Sequence, residues 1–344
     1  MNIIFKAYRF QLLFLFLFFL AAFRTVSGQE RQIQKVTAQP GDGIHTLLLR
    51  HGLDAITCSP DFIDLNRDVL GRNYMLFAGR DYTLPLCGAG ADTDGREGSP
   101  KVVEYPVFGE NYARVPIRDE KLKGAVYYLI AGHGGPDPGA ITRYGNRTIS
   151  EHEYAYDVTL RLARRLLEHS ATVYLIVQSD EGIRDDSVLP MNNNQVVYPN
   201  QPIPRNQLLR LKQRTDAVNK LYARYGDAYQ RMISIHIDSR SRGQNIDVFF
   251  YHHRNSAAGL RLAQNIHESF RQKYALHQPN RRYGGSVTPR SNLYVIRNTH
   301  PPAILIELGN LQNRRDQPRF IMSSNRQALA NWIADGIIAD YEEG

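Results

Sequence analysis

Three polar side chains close runs of apolar residues in the C-terminal part of this chain. His133 follows Leu129-Ile130-Ala131-Gly132, His236 ends Ile233-Ser234-Ile235, and Glu307 ends Ile304-Leu305-Ile306. Short continuous apolar runs read as strands buried on both faces. One polar ending of this kind carries little meaning, but three point to a shared sheet edge. Imidazole and carboxylate are the ordinary ligands of a catalytic Zn2+, which keeps a further position open for water. A third ligand is expected after the turn 134–139, where Ser150-Glu151-His152-Glu153 opens a helix. Ser-x-x-Glu reads as a capping box, with Ser150 at the N-cap and Glu153 reaching back to its amide. Glu151 precedes Ala155 by four residues and lies in line with Val158, Leu162 and Leu166, so it faces the sheet edge. That phase favours Glu151 as the third ligand, with Glu153 as the alternative. Glu307 is then the general base, taking a proton from attacking water and returning one to a departing amine. The competing role for Glu307 is an ion pair with an arginine at the sheet edge.

The remaining histidines fit plainer roles. His252-His253 reads as an exposed turn after a strand. His267-Glu268 and His152-Glu153 have no second histidine four residues on, so the helical metalloprotease motif is absent. The glycines after His133 are not followed by Lys-Ser/Thr and so do not form a phosphate loop. They let the backbone bend around the metal.

Elements must carry these residues to one place. Strands are expected over 126–131, 172–177, 232–237, 246–251, 293–296 and 303–308, and helices over 151–167, 207–225, 257–274 and 326–341. The alternation predicts an α/β fold with a mostly parallel sheet covered by helices. Ligands in such sheets bind at the carboxyl ends of the strands.

The rest of the chain sets the context. Residues 1–28 read as a cleavable signal peptide, with Lys6 and Arg9 before the apolar stretch from Leu12 to Phe23, and Val26-Ser27-Gly28 after it. The apolar run is short for a membrane span. The processed protein is therefore expected to be periplasmic or secreted rather than integral to a membrane. Cys58 and Cys87 are the only cysteines, too few for a Cys-based metal site. One disulfide is allowed outside the cytoplasm, with two free thiols as the alternative. A formal net charge of +8 suits an anionic wall polymer. Without clustered basic runs, nucleic acid is not an expected partner. Residues 33–86 read as strand, helix, helix, strand, a unit too small for an enzyme cleft and suited to binding. Residues 87–124 are expected as a linker and its approach, before a larger unit over 125–344.

Two resemblances sharpen this reading. Ala131-Gly132-His133-Gly134-Gly135-Pro136-Asp137-Pro138-Gly139-Ala140, Ser234-Ile235-His236 and Pro302-Ala303-Ile304-Leu305-Ile306-Glu307-Leu308-Gly309-Asn310 resemble the zinc-dependent N-acetylmuramoyl-L-alanine amidase family. Leu211, Arg214 and Asn219, and Leu311-Gln312-Asn313 before Asp316, agree with it, and the likeness covers 125–342. It implies zinc ligands at His133, Glu151 and His236 and a catalytic Glu307. The implied reaction cuts the amide between N-acetylmuramic acid and L-alanine in peptidoglycan, during wall remodelling or daughter-cell separation. After its glutamate the family usually has Lys, then apolar residues three, five and seven places on. Here His152, Tyr154, Tyr156 and Val158 stand there, so only the Lys is missing. The competing reading is a non-catalytic peptidoglycan-binding scaffold, whose sign would be loss of a ligand or of the base. Residues 33–86 resemble a LysM module through Pro40-Gly41-Asp42-Gly43, Asp64-Leu65-Asn66 and Ala78 to Pro85, although Gly43 stands where Thr is usual. That likeness implies contacts from Gly41, Asp42 and Gly43 to glycan containing N-acetylglucosamine. Some amidases of the larger family plug their zinc site with a helix inserted after the second histidine. Here only the nine, mostly polar residues 237–245 precede the next strand, so an open resting site is expected. The longest insertion, between Asp180 and Gln207, is rich in Asn and Pro and disfavours a helix. It could still fold over the cleft, which leaves room for a wall-associated activator.

Overall fold

The computed structural model describes residues 34–39, 42–51, 53, 55–71, 74–85, 101–239 and 247–344. The signal-peptide expectation at 1–28, Gly41 and Cys87 lie outside the described residues. The chain divides into two units, Met1–Gly90 and Ala91–Gly344. Among the described residues, no helix is long and apolar enough to cross a membrane.

The first unit contains β1 (Lys35–Thr37), α1 (Ile44–Arg50), α2 (Ala55–Leu65) and β2 (Asp81–Thr83). β1 and β2 pair antiparallel, with Val36 opposite Tyr82. Val36, Leu47, Leu48, Cys58, Phe62 and Tyr82 form the buried centre, and Cys58 is disulfide-bonded. Buried Asn66 ties α2 to β2. Its Nδ2 donates to Phe62 O and Thr83 O, each at 2.8 Å, and its Oδ1 accepts from Thr83 N at 2.7 Å. One side chain thus satisfies the helix end and the strand together.

The second unit begins with a hairpin, β3 (Val102–Glu104) and β4 (Arg114–Pro116), followed by β5 (Val126–Ala131). A further hairpin, β6 (Ile141–Tyr144) and β7 (Arg147–Ser150), leads into α3 (Glu151–Glu168). Then come β8 (Thr172–Leu175) and three short strands of a separate sheet, β9 (Val177–Gln178), β10 (Val196–Val197) and β11 (Gln201–Pro202). The chain continues through α4 (Gln207–Tyr222), β12 (Gln230–Asp238), β13 (Phe249–His252), α5 (Ala257–His277) and β14 (Ser286–Pro289). It closes with α6 (Tyr294–Asn298), β15 (Ala303–Asn310), α7 (Gln317–Ile321) and α8 (Ser323–Glu343). The main sheet has the order β14-β13-β15-β12-β5-β8. Every pairing in it is parallel except β13 with β15. This is the mostly parallel α/β sheet expected from the alternation.

Helix α3 lies on β5, β8 and β12 and also packs against α8. All of its residues except Arg164 and Arg165 are buried. Its polar residues are accordingly paired: Asp157 meets Arg161 and Arg326, both at 2.7 Å. Glu168 takes Arg118 at 2.9 Å and Arg165 at 2.7 Å, with Arg164 beside them.

Three expectations are corrected. Residues 101–124 are not linker: Val115 and Leu122 are buried, and Arg118 N and Leu122 N donate to Glu168 O and His169 O. Residues 293–296 form no strand but open α6. An apolar run this short has no period to separate strand from helix, and β14, not foreseen, takes the sheet edge beside β13. The strand foreseen over 172–177 leaves the main sheet after Leu175, and Val177 pairs with Val197 instead.

Candidate metal centre

The sheet register brings the strand ends together. β12 lies between β5 and β15, and His236 is paired in register with Glu307. In-register residues of neighbouring strands project to the same face. Gly132 N donates to Ile235 O at 2.7 Å, which sets the end of β5 beside His236. His133 then adopts a left-handed backbone with φ +62°, uncommon for a residue with a Cβ. Gly134, Gly135 and Gly139 also have positive φ, and the loop curls back toward α3. Two glycines are required by space. A Cβ on Gly132 would lie 2.5 Å from His236 Nδ1, and one on Gly139 would lie 2.8 Å from Glu151 Oε2.

The loop, rather than a serine, caps α3. Glu151 N donates to Ala140 O at 2.8 Å and His152 N to Pro138 O at 3.2 Å. Those carbonyls take the first-turn amides, and Ser150 makes no side-chain cap bond. The expected capping box is therefore absent. Glu153 turns the other way, pairing with Arg184 Nη2 at 2.9 Å and accepting from Asn192 N at 2.8 Å.

Glu151 faces the sheet edge, as its helical phase predicts. Ligand atoms of His133, Glu151 and His236 all lie within 4.8 Å of one another. Glu151 Oε2 is 3.2 Å from His133 Nε2 and accepts from Ala140 N at 3.0 Å. Its Oε1 is 3.1 Å from His236 Nδ1 and accepts from Ile237 N at 3.1 Å. Burial opposes ionisation of Glu151, but the two imidazoles prevail and hold it far below the ordinary carboxylate range. Burial also opposes charge on His133, yet its bonds to Asp137 and Glu151 lift its pKa to about 9. For His236 burial outweighs Glu151, and its pKa falls. Two imidazoles and one carboxylate at this spacing fit a catalytic zinc site with one position left for water.

Outer residues fix the inner ones. Asp137 Oδ2 lies 3.0 Å from His133 Nδ1 and 2.7 Å from Arg210 Nη2. The His133 hydrogen bond holds the Asp137 carboxyl well below its ordinary range. Arg214 donates to His133 O, and Gln195 Oε1 accepts from Gly135 N at 2.8 Å. Sequence reasoning assigned none of these roles. Asp137, four residues after a candidate ligand in a Gly-Pro loop, carried the one local signal.

Other expected site residues sit as follows. Glu307 is half-buried at the carboxyl edge. Glu153 is outside the cluster. In the first unit, Asp42 accepts from Gln39 N at 2.6 Å and pairs with Arg50 at 2.8 Å, and Gly43 is half-exposed. His252 is buried rather than in an exposed turn. The segment 180–206 contains no helix. Of the loop 237–245, residues from 240 on lie outside the described residues.

Residues 128–339 match the family described as N-acetylmuramoyl-L-alanine amidase. The curated protein "Probable cell wall amidase LytH" of Staphylococcus aureus is 26% identical over 218 residues, 63% of this chain and 58% of that protein. The chain thus spans just under three fifths of the length of the curated relatives it matches. Among solved structures, the CwlD amidase of Clostridioides difficile in complex with the GerS lipoprotein is 22% identical with a TM-score of 0.47. That match covers 64% of this chain and 99% of that one. The catalytic domain of CwlV from Bacillus (Paenibacillus) polymyxa var. colistinus is 23% identical with a TM-score of 0.44, covering 62% and 96%.

Proposed function

Because the chain belongs to the N-acetylmuramoyl-L-alanine amidase family, we propose that it hydrolyses the amide joining N-acetylmuramic acid to L-alanine in peptidoglycan. The observation that carries the proposal is the convergence of His133, Glu151 and His236 within 4.8 Å, with Glu307 in register beside His236. His133, Glu151 and His236 hold zinc in this reading, Glu153 having been claimed by Arg184. When bound, zinc supplies a Lewis acid that polarises the carbonyl and acidifies water. Asp137 keeps the His133 ring turned so that Nε2 faces the ligand cluster. Glu307 takes the proton of the attacking water and passes it to the L-alanine nitrogen as the carbon–nitrogen bond breaks.

The protein acts outside the cytoplasm in this reading, after removal of residues 1–28, in wall remodelling or cell separation. The first unit serves as a LysM-like module for glycan. Asp42 there shapes the turn before α1 through Gln39 and Arg50, so its backbone and Gly43, rather than its carboxylate, are the glycan-facing groups. The deciding experiment is mass spectrometry of fragments released from purified peptidoglycan. Free stem peptides beginning with L-alanine are expected. Cleavage elsewhere in the peptide or in the glycan would replace the proposed reaction with another.

A further inference from the structure

The longest insertion, residues 180–206, is fastened to the metal loop and to α3. Gln195 accepts from Gly135 N, and Ile203 packs where a Cβ on Gly135 would lie, 2.8 Å from its own Cβ. Glu153 holds Arg184 and Asn192 N. Tyr154 Oη donates to Ser187 O at 2.9 Å. Between this insertion and the metal loop runs an open groove of about 570 Å³, lined by Pro136, Asn193, Ile203 and Arg205. Its volume is in the range of ligand sites. Pro136 sits between Gly135 and Asp137, the residue that holds His133, so one wall of the groove belongs to the loop that carries His133.

The chemistry of the lining is specific. Four arginines lie between residues 180 and 214. Arg184 pairs with Glu153 and Glu181, Arg210 with Asp137, and Arg214 donates to His133 O. Arg205 is exposed, and among the described residues its guanidinium has no hydrogen-bond or ion-pair partner. The Asn193 carboxamide is likewise exposed. Pro136 and Ile203 supply an apolar wall. A planar cation that recognises carboxylates bidentately, an amide and an apolar wall together suit a short peptide carrying a carboxylate. In N-acetylated glycan whose lactyl group is tied up as an amide, the sugars are uncharged. The anionic groups of the substrate are then on the stem peptide.

We infer that this groove is the stem-peptide subsite, and that Arg205 selects stems with a free carboxylate close after L-alanine. The inference rests on the amidase reading for its substrate, and its test separates the two. Two soluble muropeptides are compared, identical except that the residue after L-alanine carries a free carboxylate in one and a carboxamide in the other. Cleavage is followed with the zinc-loaded full chain, and equilibrium binding in the Glu307→Gln background. The free acid should be favoured by roughly tenfold, in KM rather than kcat and equally in Kd. Arg205→Ala should abolish that preference, and Arg205→Glu should turn it toward the amide, both read as the ratio of the KM values for the two substrates. Binding with acid preference but no cleavage would leave the subsite standing and remove the amidase reading. No acid preference, or a preference that survives in Arg205→Ala, would overturn the subsite while leaving the amidase reading intact.

Discussion

Glu151 and Glu153 are two residues apart at one helix start, yet they have separate surroundings. Glu151 lies between two imidazoles; Glu153 lies against Arg184 and the Asn192 amide. Replacing Glu151 by Ala should strip zinc from the purified protein, as measured by elemental analysis against an expected content of about one ion per chain. Glu153→Ala should keep the zinc and instead lower stability by about 1–3 kcal/mol, through the charged hydrogen bonds it removes from a buried site. Loss of metal in Glu153→Ala with retention in Glu151→Ala would exchange the two roles. Gly139→Ala should also release zinc while far-UV circular dichroism is preserved, since its Cβ would press on His133 and Glu151 in a left-handed backbone. Glu307→Gln should retain zinc and lose on the order of 10²–10⁴-fold in turnover; near-normal turnover would move the base elsewhere. The position of Glu151 was legible because helical phase is local. The partners of Glu153 were not, because Arg184 and Asn192 are distant in sequence and Ser-x-x-Glu imitates a motif that the loop carbonyls pre-empt.

At the scale of elements, the long segments declared themselves and the short ones did not. β5, β12 and β15 are continuous apolar runs and were legible as buried strands, and their ends were legible as a site edge. α6 and β14 are five and four residues long, and their state is set by which sheet positions are free. The hairpin β3–β4 was hidden by a polar, Gly- and Pro-containing composition, although its residues cover the C-terminal end of α3. This has a practical outcome for truncation. A fragment over 101–344 should fold as stably as the full chain's larger unit. One starting at 125 removes Arg118 from buried Glu168 and the hairpin from the C-terminal end of α3, and should unfold at clearly lower urea by circular dichroism. Equal midpoints for the two fragments would show the hairpin to be dispensable. Asp157 is the matching test inside α3. Asp157→Ala removes the carboxylate shared by Arg161 and Arg326, both almost wholly buried, leaving Arg161 with Asp185 and Arg326 on carbonyl acceptors, and should cost about 3–5 kcal/mol in denaturant unfolding.

For the whole molecule, the chain divides into Met1–Gly90 and Ala91–Gly344, and the second of these bears the candidate site. The linker boundary was drawn too late because Gly and Asp mark flexible and folded segments alike. Deleting residues 33–86 should weaken retention on insoluble wall while sparing cleavage of small soluble muropeptides, since tethering raises local concentration without altering the site in the other unit. Unchanged retention would count against the glycan-binding assignment. The start of α3 has a further consequence for how such a chain could diversify. One turn of helix supplies Glu151 to the candidate metal centre and Glu153 to the insertion that walls the groove, and Gln195 ties that insertion back to the metal loop. The insertion and the candidate metal centre are therefore joined through shared residues. An insertion transplanted from a relative must bring its own acceptor for the Gly135 amide and its own partners for Glu153. Otherwise the exchange leaves the Gly135 amide and buried Glu153 without the partners they have here.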